Sequence, residues 1–406
     1  MKVLFISGLY PKEIEAEIIR NCKGNAYNQA ANTFCWSIVN GFKSNSLQFD
    51  VLSVPTIPTF PLRYKKPYFN KKHFALSQKS SIDVPLFCTI IGIKDFSIKS
   101  SIYRYTRKWV EKNYSLDNKI VILTYSPSYY YISALKKIKK HYCNIEIACI
   151  VPDLVDDALD NSFNLSYLKK KRVEWEYKKI HECYDRIDKF ILLSKLMEER
   201  IPQSIGKNIV MEGLANEKEY ASFRKDNNIR TLMYSGALHK YAGVEELISA
   251  FMLINEPHFR LILCGDGPLK EFIKKQAQSD SRIIYKGLLP CRKDVLELQS
   301  KATALINPKR PDTSLAKYAF PSKMMEYMTS GSPMIGFKLG GVPAEYYDYM
   351  YVIPDNTIES LAKTIKDVLS KDQFELDEMA RDAYDFIMQN KTANKQTQRM
   401  IEFLVR

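Results

Sequence analysis

The feature that most restricts the fold is an alternation. Short apolar runs end in glycine or a small polar residue, and each is followed by a stretch with apolar residues at helical spacing. Val3–Ser7 runs into Gly8, and Asn25–Phe42 follows with Ala31, Phe34, Cys35, Ile38 and Phe42 on one helical face. Phe49–Val54, Lys119–Thr124, Ile145–Val151 and Lys189–Ser194 read as further strands, with Tyr130–His141 and Leu168–Tyr184 as helical stretches between them. Parallel strands are joined only by long crossovers, so this alternation predicts a parallel sheet covered by helices on both faces.

At 406 residues the chain exceeds what one hydrophobic core supports. The pattern lapses between 201 and 230, after one candidate strand at Asn208–Met211, and then restarts. Thr231–Tyr234 leads through Ser235-Gly236 into a helix from about Gly243, and Arg260–Cys264, Arg282–Lys286, Ala302–Ile306, Pro333–Phe337 and Met350–Ile353 continue as strands. The expected organisation is α/β throughout: a doubly wound first domain over 1–220, a second over 221–388, and a terminal helix over 389–406 packing back on the first. Asp372–Arg406 reads as helical from end to end.

Composition narrows the class. With 46% hydrophobic and 26% charged residues the chain is globular. The cysteines include no Cys-x-x-Cys pair, which suits a reducing compartment. The short apolar run before Pro11 is too little for a signal peptide, no run nears the ~20 apolar residues of a spanning helix, and the expected setting is cytoplasmic. The five histidines lack ligand-like spacing, so no metal is expected. A net charge of +14 leaves nucleic acid, anionic membrane and anionic small substrates as partners.

Two stretches of the second half carry chemistry. Gly265-Asp266-Gly267-Pro268 follows the strand "FRLILC", where open α/β sheets bind ligands, although glycine turns also end many strands for structural reasons alone. In "AFPSKMMEYMTSGSPMI", Pro321 suits the first helical position, leaving the amides of Ser322, Lys323 and Met324 as donors at a helix start that favours phosphate. Lys323 adds a full charge, and Lys309, Arg310 and Lys317 flank the same connection, as neutralising a departing diphosphate requires. Glu326, one turn in, can accept hydrogen bonds from ribose hydroxyls; a solvated helix glutamate is the plain alternative.

These residues, with "YSGALHKYAGVEELISAF", "LILCGDGPLKEF" and "GLLPCRKDVLELQSKATALINP", resemble the nucleotide-sugar half of the retaining glycosyltransferases called family 4, of GT-B fold. The likeness covers about 231–369; "VLFISGLYP", "CIVPDLVDD" and "DKFILLSKLMEERI" extend it more loosely over the first half. The resemblance implies two Rossmann-like domains across a cleft and metal-independent transfer of a sugar, with retention, from a nucleoside diphosphate donor to a glycan or polyprenyl-linked acceptor. A UDP-sugar is expected before a GDP-sugar, and the branch resembled builds bacterial surface polysaccharides. By the same resemblance Glu326 contacts the ribose, Ser322 and Lys323 hold the diphosphate, and Leu288 and Leu289 meet the base. Gly236, Gly265 and Gly267 line the donor turns, and Gly8, Gly24 and Asn25 lie in first-domain loops facing the phosphates and acceptor.

The departures are specific. The first glutamate of the family's Glu-x7-Glu motif is Tyr318 here, and the usual Arg and Lys after the first strand of that half fall at Ala237 and Ala242. Their work passes to Lys240, Lys309, Arg310 or Lys323. The first-domain histidine is replaced by Pro152, leaving Asp153 as the polar group at that strand end, in a catalytic or a turn role. No acidic residue occurs between Val51 and Ile82, and "PLRYKKPYFNKKHF" interleaves cations with aromatics. This reads either as a face for the anionic inner surface of the cell membrane or as a solvated basic face. A GT-B epimerase or phosphorylase, or a nucleic-acid binder, are the competing functions; the absence of a nucleic-acid module counts against the last.

Overall fold

Strands in a parallel sheet are covered on both faces, so their sequences are apolar along their length rather than alternating. The computed structural model describes residues 1–24, 28–115, 118–142, 144–154, 167–217, 228–289 and 291–406, the side chains of 167–169 and 314–315 apart. The chain divides into unit 1, Met1–Leu214 with Ala393–Arg406, and unit 2, Ala215–Thr392.

Unit 1 runs β1 (Lys2–Ser7), α1 (Glu15–Asn21), α2 (Gln29–Ser44), β2 (Phe49–Ser53), β3 (Tyr68–Phe69), β4 (Lys72–Ser77), β5 (Ser80–Val84), β6 (Phe87–Cys88), α3 (Lys94–Asn113), β7 (Ile120–Tyr125), α4 (Tyr129–Lys139), β8 (Ile145–Val151), α5 (Tyr167–Tyr184), β9 (Lys189–Leu192) and β10 (Asn208–Val210). Its main sheet has the order β10-β9-β8-β7-β1-β2-β5-β4, parallel except where β4 returns antiparallel to β5. Val3, opposite Phe49 and Val121, marks the central register. The apolar stripe of α2 (Cys35, Ile38, Val39, Phe42) closes the core over β1. This helix starts later than the sequence suggests: Asn28 caps it by accepting the Ala31 N–H at 3.0 Å.

The hairpin β4–β5 and the short pair β3–β6 were not legible as strands. The exposure of β4 alternates residue by residue, as on a half-covered edge, and its cations and aromatics obscured that period.

Unit 2 runs β11 (Arg230–Ser235), α6 (Val244–Met252), β12 (Phe259–Cys264), α7 (Lys270–Ser279), β13 (Ile283–Gly287), α8 (Arg292–Lys301), β14 (Ala304–Asn307), α9 (Ser314–Tyr318), α10 (Lys323–Met328), β15 (Met334–Phe337), β16 (Tyr351–Ile353), α11 (Ile358–Leu369) and α12 (Gln373–Asn390). The sheet is parallel with order β13-β12-β11-β14-β15-β16, the doubly wound arrangement in which the winding reverses between β11 and β14.

The final segment is not helical throughout. It breaks at Lys391-Thr392, where the Ala215 N–H donates to the Lys391 carbonyl at 2.9 Å, and resumes as α13 (Ala393–Val405). Helix α13 packs on α2, placing Met400 and Leu404 in the core with Val3 and Phe42. A Cβ on Gly41 would lie 2.2 Å from Thr397 Oγ1, so glycine is what allows the two helices to approach.

Met400 is fully buried under α2. Met400→Ala is expected to destabilise unit 1 by about 2–5 kcal/mol through the cavity it leaves. The chain's three tryptophans, Trp36, Trp109 and Trp175, all belong to unit 1. Urea unfolding followed by their fluorescence checks the shift, and an unchanged midpoint would contradict the packing of α13.

Candidate active site

The carboxyl ends of β11 and β14 flank the point where the winding of unit 2 reverses, the position at which open α/β sheets hold ligands. The last residue of β11, Ser235, is a hub there. Its N–H donates to the Tyr327 hydroxyl at 3.0 Å, and that hydroxyl donates back to the Ser235 carbonyl at 3.1 Å. The Lys323 ammonium donates to the same carbonyl. The Ser235 hydroxyl accepts from Gln299 Nε2 at 2.9 Å, and Gln299 Nε2 also donates to Glu326 Oε1 at 2.7 Å. The other Glu326 oxygen accepts from Arg292 Nη2 at 3.0 Å.

Helical spacing assembles this group. Lys323, Glu326 and Tyr327 stand three and four residues apart on one side of α10, while Met324, Met325 and Met328 are buried. Arg292 and Gln299, two turns apart on α8, reach the same carboxylate. The two partners differ in kind. Arg292 is 59% exposed in its side chain and contributes at most about 1 kcal/mol. Gln299 is fully buried, and its Oε1 has no partner among the described residues.

Lys323 extends inward with its ammonium 5.4 Å from the centre of the Tyr234 ring. Burial strips that ammonium of water and lowers its pKa to about 8, against the smaller opposing pull of the Glu326 carboxylate. Gly236 is what makes room: a Cβ there would stand 2.1 Å from Lys323 Nζ. Burial likewise pushes the Tyr327 phenol up to about 12, so it stays a neutral donor.

The turns after β11, β12 and β13 interlock through their backbones. Gly236 N–H donates to the Cys264 carbonyl at 2.8 Å and Gly265 N–H to the Gly287 carbonyl at 2.9 Å. Gly265 and Gly267 sit against the carbonyls of Gly236 and Leu238, so their first duty is close packing. Leu288 is 66% exposed beyond Gly287, whereas Leu289 packs on the core.

Helix α10 begins at Lys323, with Ser322 before it in helical backbone, so Pro321 lies outside the helix rather than at its first position. The Pro321 carbonyl accepts the Met324 N–H at 2.9 Å, closing the first turn. Arg310 is engaged elsewhere, with Glu246 at 3.7 Å, Asp312 at 3.4 Å and the Asn356 carbonyl at 3.3 Å. Lys309 is half-buried beside it, and Lys240 is exposed at the turn before α6. Tyr318 is 5% exposed, with Lys317 Nζ 4.9 Å over its ring, so the phenol replacing the expected glutamate is a buried group of α9.

In unit 1, Gly8 abuts Thr56 beyond the end of β1, and Gly24 is exposed with φ 64°. Asn25 lies outside the described residues. Asp153 is exposed just past β8, and its charge adds to burial in pushing up the Tyr125 phenol. Among the described residues no group of three or more His, Cys, Asp or Glu side chains could hold a metal ion. Sequence reasoning missed Ser235, Arg292, Gln299 and Tyr327. The available signal was Gln299, a polar residue on the apolar stripe formed by Val295 and Leu298 of α8 and Ala302 just past its end.

Residues 215–385 match the family model described as Glycosyl transferases group 1. No curated protein sequence matches the chain. Among solved structures, the chain is similar to trehalose-6-phosphate from E. coli bound with UDP-2-fluoro glucose, at 9% identity and TM-score 0.66, covering 100% of this chain and 99% of that one. HepE of Anabaena in complex with UDP aligns at 15% identity and TM-score 0.60, over 100% of both chains. TarM of S. aureus, in a complex with fondaparinux, alpha-GlcNAc-glycerol and UDP, aligns at 11% identity and TM-score 0.62, over 100% of both chains. The fold, two Rossmann-like parallel-sheet units, is GT-B.

Two measurements test the hub. The folded state releases the Lys323 proton near pH 8 and the unfolded chain near 10.5, so the unfolded state binds more protons between those values. Stability from this residue therefore carries its full burial penalty below pH 8 and rises as pH climbs from 8 to 10.5. Lys323→Met is expected to flatten that rise in urea-unfolding midpoints followed by far-ultraviolet circular dichroism, and an identical pH profile would contradict the buried ammonium. Gln299→Leu, which removes the amide donor shared by Ser235 Oγ and one Glu326 oxygen, should destabilise unit 2 by about 1–3 kcal/mol in urea unfolding followed by far-ultraviolet circular dichroism.

Proposed function

We propose that the chain is a retaining glycosyltransferase that moves a sugar from a UDP-sugar to a glycan or lipid-linked acceptor in the building of a bacterial surface polysaccharide, without a metal. The observation that carries this reading is the pairing of Glu326 and Lys323 one turn apart at the switch point of unit 2. The match of residues 215–385 to a glycosyltransferase family supports it.

Each residue has a role in that reading. Gln299 fixes one oxygen of Glu326, and the exposed Arg292 yields the other to ribose hydroxyls. The amides of Ser322 and Lys323 and the Lys323 ammonium meet the diphosphate, and Leu288 covers the base. As the bond from the anomeric carbon to the diphosphate oxygen breaks, the new negative charge appears beside Lys323, whose interaction with it is stronger in a water-poor site. The acceptor hydroxyl attacks from the face the diphosphate leaves, a new carbon–oxygen bond forms, and the hydroxyl proton passes to the departing phosphate oxygen. Asp153 positions the acceptor, and Gly8 and Gly24 shape the loops around it.

Calorimetry in buffers of different ionisation enthalpy tests the donor site. At pH 8 about half of Lys323 is neutral, so UDP binding should draw about half a proton from the buffer. The uptake should vanish in Lys323→Met, and undiminished uptake would remove Lys323 from the diphosphate. Glu326→Ala should weaken UDP by about 10–100-fold while the melting temperature of the free protein holds. A thermal-shift panel of UDP-, GDP- and ADP-sugars identifies the donor, since a ligand that binds only the folded state raises its stability.

A further inference from the structure

Residues 57–96 of unit 1 contribute the edge hairpin β4–β5 to the main sheet and, on either side of it, turns joined by the separate pair β3–β6, and the apolar residues of this lobe split into two sets. Inside, Phe69 and Phe87 stack at 5.4 Å with their planes 7° apart, both buried. Outside, Leu62, Tyr68, Leu86, Ile91, Ile93 and Phe96 are each more than half exposed, Phe96 at 73%.

The outer set belongs to one piece of backbone. Tyr68 pairs with Cys88 across β3–β6, and Leu86, two residues from Cys88, shares its face. Phe60 N–H donates to the Thr89 carbonyl at 2.9 Å, Thr89 N–H to the Pro67 carbonyl at 2.8 Å and Ile91 N–H to the Phe60 carbonyl at 3.3 Å. Leu62, Ile91 and Ile93 are thereby carried on turns that the strand pair holds together, and Phe96 opens α3 beside them. Large apolar groups concentrated this way on a protein surface mark a contact with something apolar.

The charges say what that something is. No acidic residue occurs between Val51 and Ile82. The lobe's own acids and Glu17 beside it are engaged: Glu17 holds Lys66 at 2.8 Å and Lys72 at 2.9 Å, Asp95 pairs with Arg172 at 3.2 Å, and Asp83 takes His73 at 2.9 Å and the Tyr105 hydroxyl at 2.6 Å. Arg63, Lys65 and Lys71 of the same segment remain exposed, Lys65 with its ammonium on the Arg20 carbonyl. Four of the six, Leu62, Leu86, Ile91 and Ile93, are aliphatic and offer nothing to stack on nucleic-acid bases, whereas an anionic bilayer takes both halves of this surface at once, side chains into the headgroup boundary and cations onto lipid phosphates.

We infer that the 57–96 lobe seats unit 1 on an anionic lipid bilayer, with Leu62, Tyr68, Leu86, Ile91, Ile93 and Phe96 entering the interface and Arg63, Lys65 and Lys71 contacting lipid phosphate. Lys66 and Lys72, cations of the same stretch, neutralise Glu17 instead. The seating is independent of the transfer chemistry.

Flotation of the full chain with vesicles tests it. Vesicles of phosphatidylglycerol and phosphatidylcholine in equal parts should carry the protein, and phosphatidylcholine alone should carry far less. The double variants L62S/F96S and R63E/K71E should each lose about tenfold or more in partition. Both should keep wild-type UDP affinity and melting temperature, so the loss would not be unfolding. Absence of wild-type binding would overturn the inference. So would loss in the charge variant alone, which is simple adsorption. Retained partition with loss of a concentration-dependent dimer in L62S/F96S would also overturn it, assigning the face to a second copy of the chain. Failure of UDP to bind any form would sink the donor assignment and leave the vesicle result standing.

Discussion

The hydrogen bonds that converge on Ser235 hold unit 2 in its working form. One residue at the end of β11 donates its N–H to the Tyr327 hydroxyl, accepts on its carbonyl from Tyr327 and Lys323, and accepts on its hydroxyl from Gln299. Strand β11, helix α10 and helix α8 therefore cannot shift independently at the reversal of the sheet. A polar network in a nearly water-free place is costly if half satisfied and rigid if fully satisfied. The loose end here is Gln299 Oε1, at the same residue that orients Glu326.

The central strands were legible because burial on both faces leaves an unmistakable apolar run: Val3–Ser7 and Ile145–Val151 were readable almost to the residue. The α10 stretch was legible because Pro, Ser and Lys before an apolar helix signal a helix start. The hub was not, because each partner looks ordinary alone. Gln299 reads as a helix-surface residue until Val295, Leu298 and Ala302 are seen to share its stripe, and Arg292 meets Glu326 only after two crossovers bring α8 to α10. Arg310, equally basic on paper, turned out to brace Glu246 and the loop near Asn356, since sequence reports a charge and not what stands opposite it.

Close backbone approach explains several glycines that sequence alone assigns to phosphate. Gly236 and Gly265 stack the ends of β11 and β12 on each other, and the ammonium of Lys323 occupies the space that a side chain on Gly236 would need. The same bareness serves packing and site together, so conformational and functional demands coincide at one atom position. Tyr318 is the converse case: a bulky ring buried in α9 fills space where a charged group would have to be hydrated or paired.

Helix α13 closes the core of the unit whose first strand is Lys2–Ser7, although all of unit 2 lies between them in sequence. During synthesis the groove beside Gly41 and the apolar floor formed by Val3, Cys35 and Phe42 therefore stay uncovered until Ala393–Val405 has left the ribosome. Unit 2, contiguous from Ala215 to Thr392, has its whole sheet available earlier. Unit 2 can thus mature first, and unit 1 waits on a single helix to lose its sticky surface.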